Sequence, residues 1–246
     1  MKIKKFTPLF IILLMLIACK KEVKPVTRVV EFTSTTYKTL GTYDASGKPD
    51  YLLPRDTISS TLLSFIDSIL PDKKDLRITD PELLTTKAIA DLAITQQSDV
   101  FITFVSHGGG YTNTFAFYTY PTNQPPASTK DIKIITYVFP NSGYLTPLQP
   151  GDKVKIGRFN AGTSVGFVLL QKAWDANADT LNNKVVHFCS NDVLNPEVDP
   201  NLKKHAVLIN YPPQNIVLIG FEDVDRTFSY CDHDFNDLVV YATVVP

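Results

Sequence analysis

Ile216-Val-Leu-Ile-Gly-Phe221 and Leu238-Val-Val-Tyr-Ala-Thr-Val-Val245 are β-branched and aromatic runs, separated by the sixteen residues from Glu222 to Asp237. Both are short and read as strands. Between them stand six carboxylates, Glu222, Asp223, Asp225, Asp232, Asp234 and Asp237, and the far end reads Asp232-His-Asp234-Phe-Asn236-Asp237. If the strands pair, Glu222 and Asp223 leave the first as Asp237 enters the second, so both ends of the acidic stretch meet. Two like charges about 5 Å apart, at an effective dielectric near 20, repel by roughly 3 kcal/mol. Within the stretch, Arg226 alone offsets them. A bound hard cation relieves this repulsion, and an all-oxygen donor set suits calcium.

Upstream, short runs of the same texture begin near Leu92: Val100–Val105, Thr114–Tyr120, Ile132–Phe139, Lys153–Phe159, Val165–Leu170, Lys184–Cys189 and His205–Tyr211. Turn residues separate them, as in Gly108-Gly109-Gly110, Pro140-Asn141-Ser142-Gly143 and Pro150-Gly151-Asp152. Many short strands without alternating helices predict an all-β fold, an antiparallel, jelly-roll-like β-sandwich over residues 92–246. Residues 37–91 form a small N-terminal segment with one or two helices. Ile58, Leu62, Phe65, Ile66 and Ile69 share one helical face, Asp56 is placed to cap the start, and Pro71 stops the helix after Leu70. A weaker helical stretch begins near Pro81 and runs to Ala90.

The chain begins with Lys2, Lys4 and Lys5, followed by an apolar run from Phe6 to Ala18 broken by Thr7. This run is too short for a comfortable membrane span. Leu16-Ile-Ala-Cys19 resembles the lipobox of bacterial lipoproteins. The resemblance implies a leader over residues 1–18, lipidation of Cys19 and a tether over 19–36 that holds the folded part to a membrane. Lys20-Lys21 differs from the aspartate that can retain lipoproteins in an inner membrane, so the expected location is the outer membrane of the cell envelope. Without the three leader lysines, 21 basic side chains face 25 acidic ones, a net of −4, which argues against nucleic acid as a partner. Fifteen Phe and 11 Tyr supply ample material for a core. Beyond Cys19 the cysteines are Cys189 and Cys231, and a disulfide between them is possible in an oxidising envelope.

Asp232, Asp234 and Asn236 share the spacing that opens an EF-hand loop, but the sixth position is Asp237 instead of Gly and the twelfth is Thr243 instead of Glu. Zinc competes through Cys231 and His233, on thin grounds, and His233 is expected to face outward. The run Gly220-Phe-Glu222-Asp223, followed by Asp232-x-Asp234-Phe-Asn236-Asp237-Leu-Val, resembles the C-terminal signature of the domain of unknown function numbered 4114 and its LruC-type relatives. The likeness continues upstream in Asn113-Thr-Phe-Ala-Phe-Tyr118, Phe139-Pro-Asn141, Gly151-Asp152-x-Val154 and Asn195-Pro196-Glu197. It implies a β-sandwich that binds calcium through Glu222, Asp223, Asp232, Asp234, Asn236 and Asp237, and no particular activity. Cys231 is not part of the pattern.

A serine-hydrolase reading competes. His107-Gly-Gly-Gly110 resembles an oxyanion-hole loop, Gly162-Thr-Ser164-Val-Gly166 fits the nucleophile pattern, and His205 follows. An alternating strand before Ser164 and a β-branched run after it do not make a nucleophile elbow, so no catalytic residue is assigned and the chain is not expected to be an enzyme. Trp174 and the Tyr111, Tyr118 and Tyr120 group are candidates for a sugar platform or groove, with packing as the bland reading; His187 reads as a packed histidine. The expected function is glycan or protein binding, as in adhesion, on a calcium-organised edge. The alternative is a structural or accessory envelope protein whose metal only stabilises the fold.

Overall fold

In the computed structural model, which describes residues 32–85 and 90–246, the β-branched runs build two facing sheets. In chain order the strands are β1 (Thr36–Thr39), β2 (Leu92–Ile94), β3 (Ser98–Ser106), β4 (Thr114–Pro121), β5 (Ile134–Phe139), β6 (Lys153–Phe159) and β7 (Thr163–Leu170). They continue with β8 (Trp174–Asp175), β9 (Thr180–Leu181), β10 (His187–Cys189), β11 (Ala206–Tyr211), β12 (Ile216–Phe221) and β13 (Leu238–Val245). One sheet has the order β1-β5-β4-β7-β10, with β2 also on β7; the other runs β11-β12-β13-β3-β6; β8 and β9 form a small ribbon. The fold is the expected all-β sandwich. The leader, Cys19 and the tether up to residue 31 lie outside the described residues, as do residues 86–89 of the expected second helix. Among the described residues, no helix is long and apolar enough to cross a membrane.

The N-terminal segment differs from its sequence reading. Thr36–Thr39 pairs in parallel with β5, Thr36 opposite Ile134, and so extends a sheet instead of ending a tether. Three of its four side chains are exposed; an edge strand held by main-chain bonds leaves no hydrophobic alternation to read. Helix α1 covers Ser60–Ile69 and is capped by Ser59, whose Oγ accepts from Leu62 N–H at 3.1 Å, in place of Asp56. Asp56 is instead occupied by Thr103, Tyr241 and Lys153, three groups from β3, β13 and β6. The stretch expected from Pro81 opens as a 3₁₀ turn at Pro81–Leu84, and a one-turn helix that sequence reading did not place, α2 (Leu76–Thr79), precedes it. The run expected from Lys184 enters the ladder only at His187, and that expected from Ile132 only at Ile134, after a 3₁₀ turn.

Phenylalanines fill the space between the sheets: Phe115 stacks on Phe167 at 5.7 Å and meets Phe221 edge-on at 6.0 Å. Burying each such ring contributes about 1.5–3 kcal/mol. The predicted apolar face of α1 covers the outside of the other sheet, where Leu62, Ile66 and Leu70 join Val207, Leu218, Phe235 and Val239. The chain that follows α1 is thereby set down beside the β12–β13 hairpin.

Candidate metal centre

Strands β12 and β13 pair in register to their very ends, Phe221 opposite Leu238. The acidic stretch is therefore one long hairpin loop, and Glu222 and Asp237 stand at its base as the sequence predicts. The loop does not project. Phe235 is fully buried in the cluster beneath α1, with the Arg226 guanidinium 5.0 Å above its ring. His233 and Phe235 have positive φ, 58° and 60°, a conformation that costs a non-glycine residue about 1–2 kcal/mol. Gly220 permits this fold-back, because a Cβ there would come within 2.5 Å of the Phe235 carbonyl.

The result is convergence. Glu222, Asp232 and Asp234 each offer a carboxylate oxygen within 4.8 Å of the others; Glu222 and Asp234 are buried and Asp232 is exposed. Among the described residues, Glu222 Oε2 is buried without a hydrogen-bond partner. Burial, then repulsion from Asp237, pushes the Glu222 carboxyl up to about 9. Burial also raises Asp234; burial, with repulsion from Glu222, raises Asp223, and burial, with repulsion from Asp223, raises Asp237. An all-oxygen cluster with an unsatisfied buried oxygen fits a hard divalent cation.

Asp223 and Asp237 stand beside this trio. Asp223 N–H donates to Asp237 Oδ2 at 2.8 Å, Asn113 Nδ2 donates to Asp223 Oδ2 at 2.6 Å, and Gln171 Nε2 donates to the Asp223 carbonyl at 2.6 Å. Asn113 immediately precedes β4 and Gln171 immediately follows β7 of the opposite sheet, so the site fastens the two layers together at one end. Asn236 is the remaining residue of the expected ligand set. Its side chain faces the Leu70 carbonyl at 3.5 Å and lines a separate hollow with Ile66 and His107.

The glycines of the hydrolase pattern turn out to belong to this site. Gly108 and Gly109 donate to the Asp237 carbonyl at 3.1 and 3.4 Å. A Cβ on Gly109 would lie 2.3 Å from Asp223 Oδ2, so a side chain there would fill the place of the carboxylate. The serine and histidine of the same pattern lie elsewhere. Ser164 is a buried residue of β7 whose Oγ donates to Thr122 Oγ1 at 2.9 Å. His205 is stacked on Phe188 at 3.8 Å and held between Glu197 Oε1 (2.7 Å) and the Glu222 carbonyl (3.0 Å). No triad is assembled from these groups, and His205 instead fixes the backbone that carries Glu222.

His233 was expected to face outward but is buried. Its Nδ1 accepts from Arg226 Nε at 3.1 Å, with Cys231 Sγ at 3.2 Å, and burial with the nearby guanidinium pushes it down to about 4. Arg226 draws it inward, since a buried guanidinium needs acceptors. Cys189 and Cys231 are both buried free thiols, so the possible disulfide is not formed. Cys189 packs with Ala116 and Tyr118 on one sheet, whereas Cys231 belongs to the hairpin loop of the other.

Of the groups that sequence reading missed, Asn113, Gln171 and Gly109 act across long sequence separations. Asn113 stood within the upstream likeness, the one signal that could have marked it. Trp174 is buried against Tyr43, and Tyr118 is buried in the sheet, so neither is a platform. Tyr111 lines the acidic cleft together with Tyr230.

Residues 159–244 match the family model described as domain of unknown function DUF4114. The matched stretch begins at the end of β6 and contains every expected ligand and Asn195-Pro196-Glu197; the runs quoted at Asn113–Tyr118, Phe139–Asn141 and Gly151–Val154 lie outside the match. No curated protein matches the chain, and no solved structure does.

Proposed function

We propose that this chain is an envelope lipoprotein whose sandwich binds calcium at the acidic hairpin and offers the edge thus stiffened as a binding surface for a glycan or a protein. The observation that carries the reading is the meeting of Glu222, Asp232 and Asp234 within 4.8 Å around a buried Glu222 oxygen that has no partner. The ion would be held by these three, with Asp223 and Asp237 adding negative charge beside them. When bound, calcium supplies positive charge that lets neighbouring carboxylates ionise side by side. The chain's own groups set the site in place: Asn113 orients Asp223, Lys73 N–H holds Asp234 Oδ2 at 2.8 Å, and Phe235 anchors the loop. The anchoring half of the proposal rests on the lipobox-like Leu16–Cys19 and the lysines before it. Incorporation of a labelled fatty acid that Cys19→Ala abolishes would test it.

A second reading, in which the metal only stabilises the fold, is favoured by the contacts the hairpin makes with the α1–α2 segment, including Leu76 N–H to the His233 carbonyl at 3.0 Å. Thermal melts of the full chain with calcium and with a chelator test the shared premise. A ligand at a hundred times its Kd adds about 2.7 kcal/mol, which in a domain of this size raises Tm by roughly 5–10 °C. Identical melts across millimolar calcium would refute both readings.

A further inference from the structure

Building on the calcium reading, we propose that the cleft over the hairpin is a site for a neutral carbohydrate, in which two adjacent pyranose hydroxyls complete the ion's coordination and the sugar ring packs on Tyr230. Of the three convergent carboxylates, Glu222 and Asp232 line an open cleft and Asp234 is buried outside its lining, so the cluster is open on one side instead of a closed cage. That cleft has a volume of about 290 Å³, and Glu222, Asp223, Asp232 and Asp237 line it. Calcium takes six to eight oxygens, more than three convergent carboxylates provide in monodentate form, so the open side is where external oxygens reach it.

The walls suit a sugar. Gly108, Gly109 and Gly110 present only backbone, and a Cβ on Gly110 would meet nothing within 4 Å. The rim is aromatic. Tyr230 stacks on Phe228 at 5.2 Å and is 65% exposed, so a held aromatic ring is open to a ligand in the cleft. Tyr111 lies beside it, fixed by the Lys172 ammonium 4.0 Å over its ring. Charge selects the ligand class: five carboxylates around one dication leave a negative excess, which repels phosphates, uronates and acidic peptides and favours a neutral polyol.

The test titrates the full chain calorimetrically, first with calcium alone and then, calcium-loaded, with the methyl glycosides of mannose, galactose and glucose. The expected result is calcium binding, followed by binding of at least one glycoside that the chelator EGTA abolishes. Tyr230→Ala should weaken the glycoside roughly fivefold to tenfold while calcium still binds. Calcium binding with no response to millimolar glycoside would overturn the sugar site and leave the calcium reading standing. Failure of calcium itself to bind would overturn both. Glycoside binding indifferent to EGTA or to Tyr230→Ala would also overturn the proposal.

Discussion

Glu222 joins two opposed requirements: its carboxyl is buried beside other carboxylates, and its position at the end of β12 aims it at them. Glu222→Gln keeps the shape and removes the charge. The expected outcome is a calcium affinity lowered more than about tenfold, together with a melting temperature in chelator equal to or above that of the parent, because the amide, unlike a carboxyl held up at about 9, need not take up a proton to be buried. Calorimetry and melts on the two proteins check this, and a parental calcium affinity would count against Glu222 as a ligand. His187 makes a separate prediction, about pH. Its Nδ1 faces the Val185 carbonyl at 2.8 Å and its Nε2 the Tyr37 hydroxyl at 2.8 Å, so the ring is neutral with the proton on Nδ1. Burial pushes it down to about 4 from an ordinary 6.5. Between those values the unfolded chain binds more protons, so the His187 contribution is complete above pH 6.5 and is lost as pH falls toward 4. Asp91, raised by burial to about 6, acts with the opposite sign in an overlapping window. The informative comparison is therefore His187→Phe against parent, whose difference in stability should change by up to about 3 kcal/mol between pH 7 and pH 4 in denaturant titrations. A constant difference would mean that His187 titrates normally.

Among the elements, the hairpin loop and the Gly108–Gly110 loop decide whether the carboxylates meet. Phe235 is the loop's apolar anchor, fully buried beneath α1. Phe235→Ala should cost about 3–5 kcal/mol in denaturant unfolding and, in the protein that still folds, weaken calcium binding as the loop loosens. Stability loss with unchanged calcium affinity would show that the ligands do not depend on that anchor. Gly109→Ala acts from the other side, placing a methyl group where the Asp223 carboxylate sits. It is expected to reduce calcium affinity with little effect on far-UV circular dichroism, and an unaltered affinity would remove this loop from the site. The element scale is also where sequence reading succeeded and failed most visibly. Strands β12, β13 and β6 are read to the residue because their β-branched runs have sharp turn-forming or acidic borders. Strand β1 escapes because an exposed edge strand has no alternation, and the helix start was misplaced because Ser59 and Asp56 are both competent caps and only the fold occupies Asp56 elsewhere.

Across the whole molecule, the site stands where both sheets and the α1–α2 segment come together: Asn113 and Gln171 reach it from one sheet, β12 and β13 carry it on the other, and Lys73 closes it from the helical side. A cation placed there ties the three parts to each other, so calcium removal should expose more of the molecule to exchange than the hairpin alone. Hydrogen exchange in chelator is expected to quicken at residues 70–76 and 106–113 as well as 222–237, while the centres of β4 and β7 stay protected. Uniform exchange behaviour with and without calcium would contradict this coupling. The sequence by itself determined the two-sheet class, the hairpin and the acidity of its loop, because β-branched periodicity and charge density are local properties. Only the tertiary structure decided which carboxylates share a point, that Asn236 sets its side chain against Leu70 while His233 turns inward, that the two thiols stay apart, and that a glycine run with the look of an oxyanion hole instead cradles Asp223. Some of those outcomes rest on contacts across long separations, as between Asn236 and Leu70, and the others on how the loop folds back on itself, as between Arg226 and His233; side-chain type alone carries no record of either.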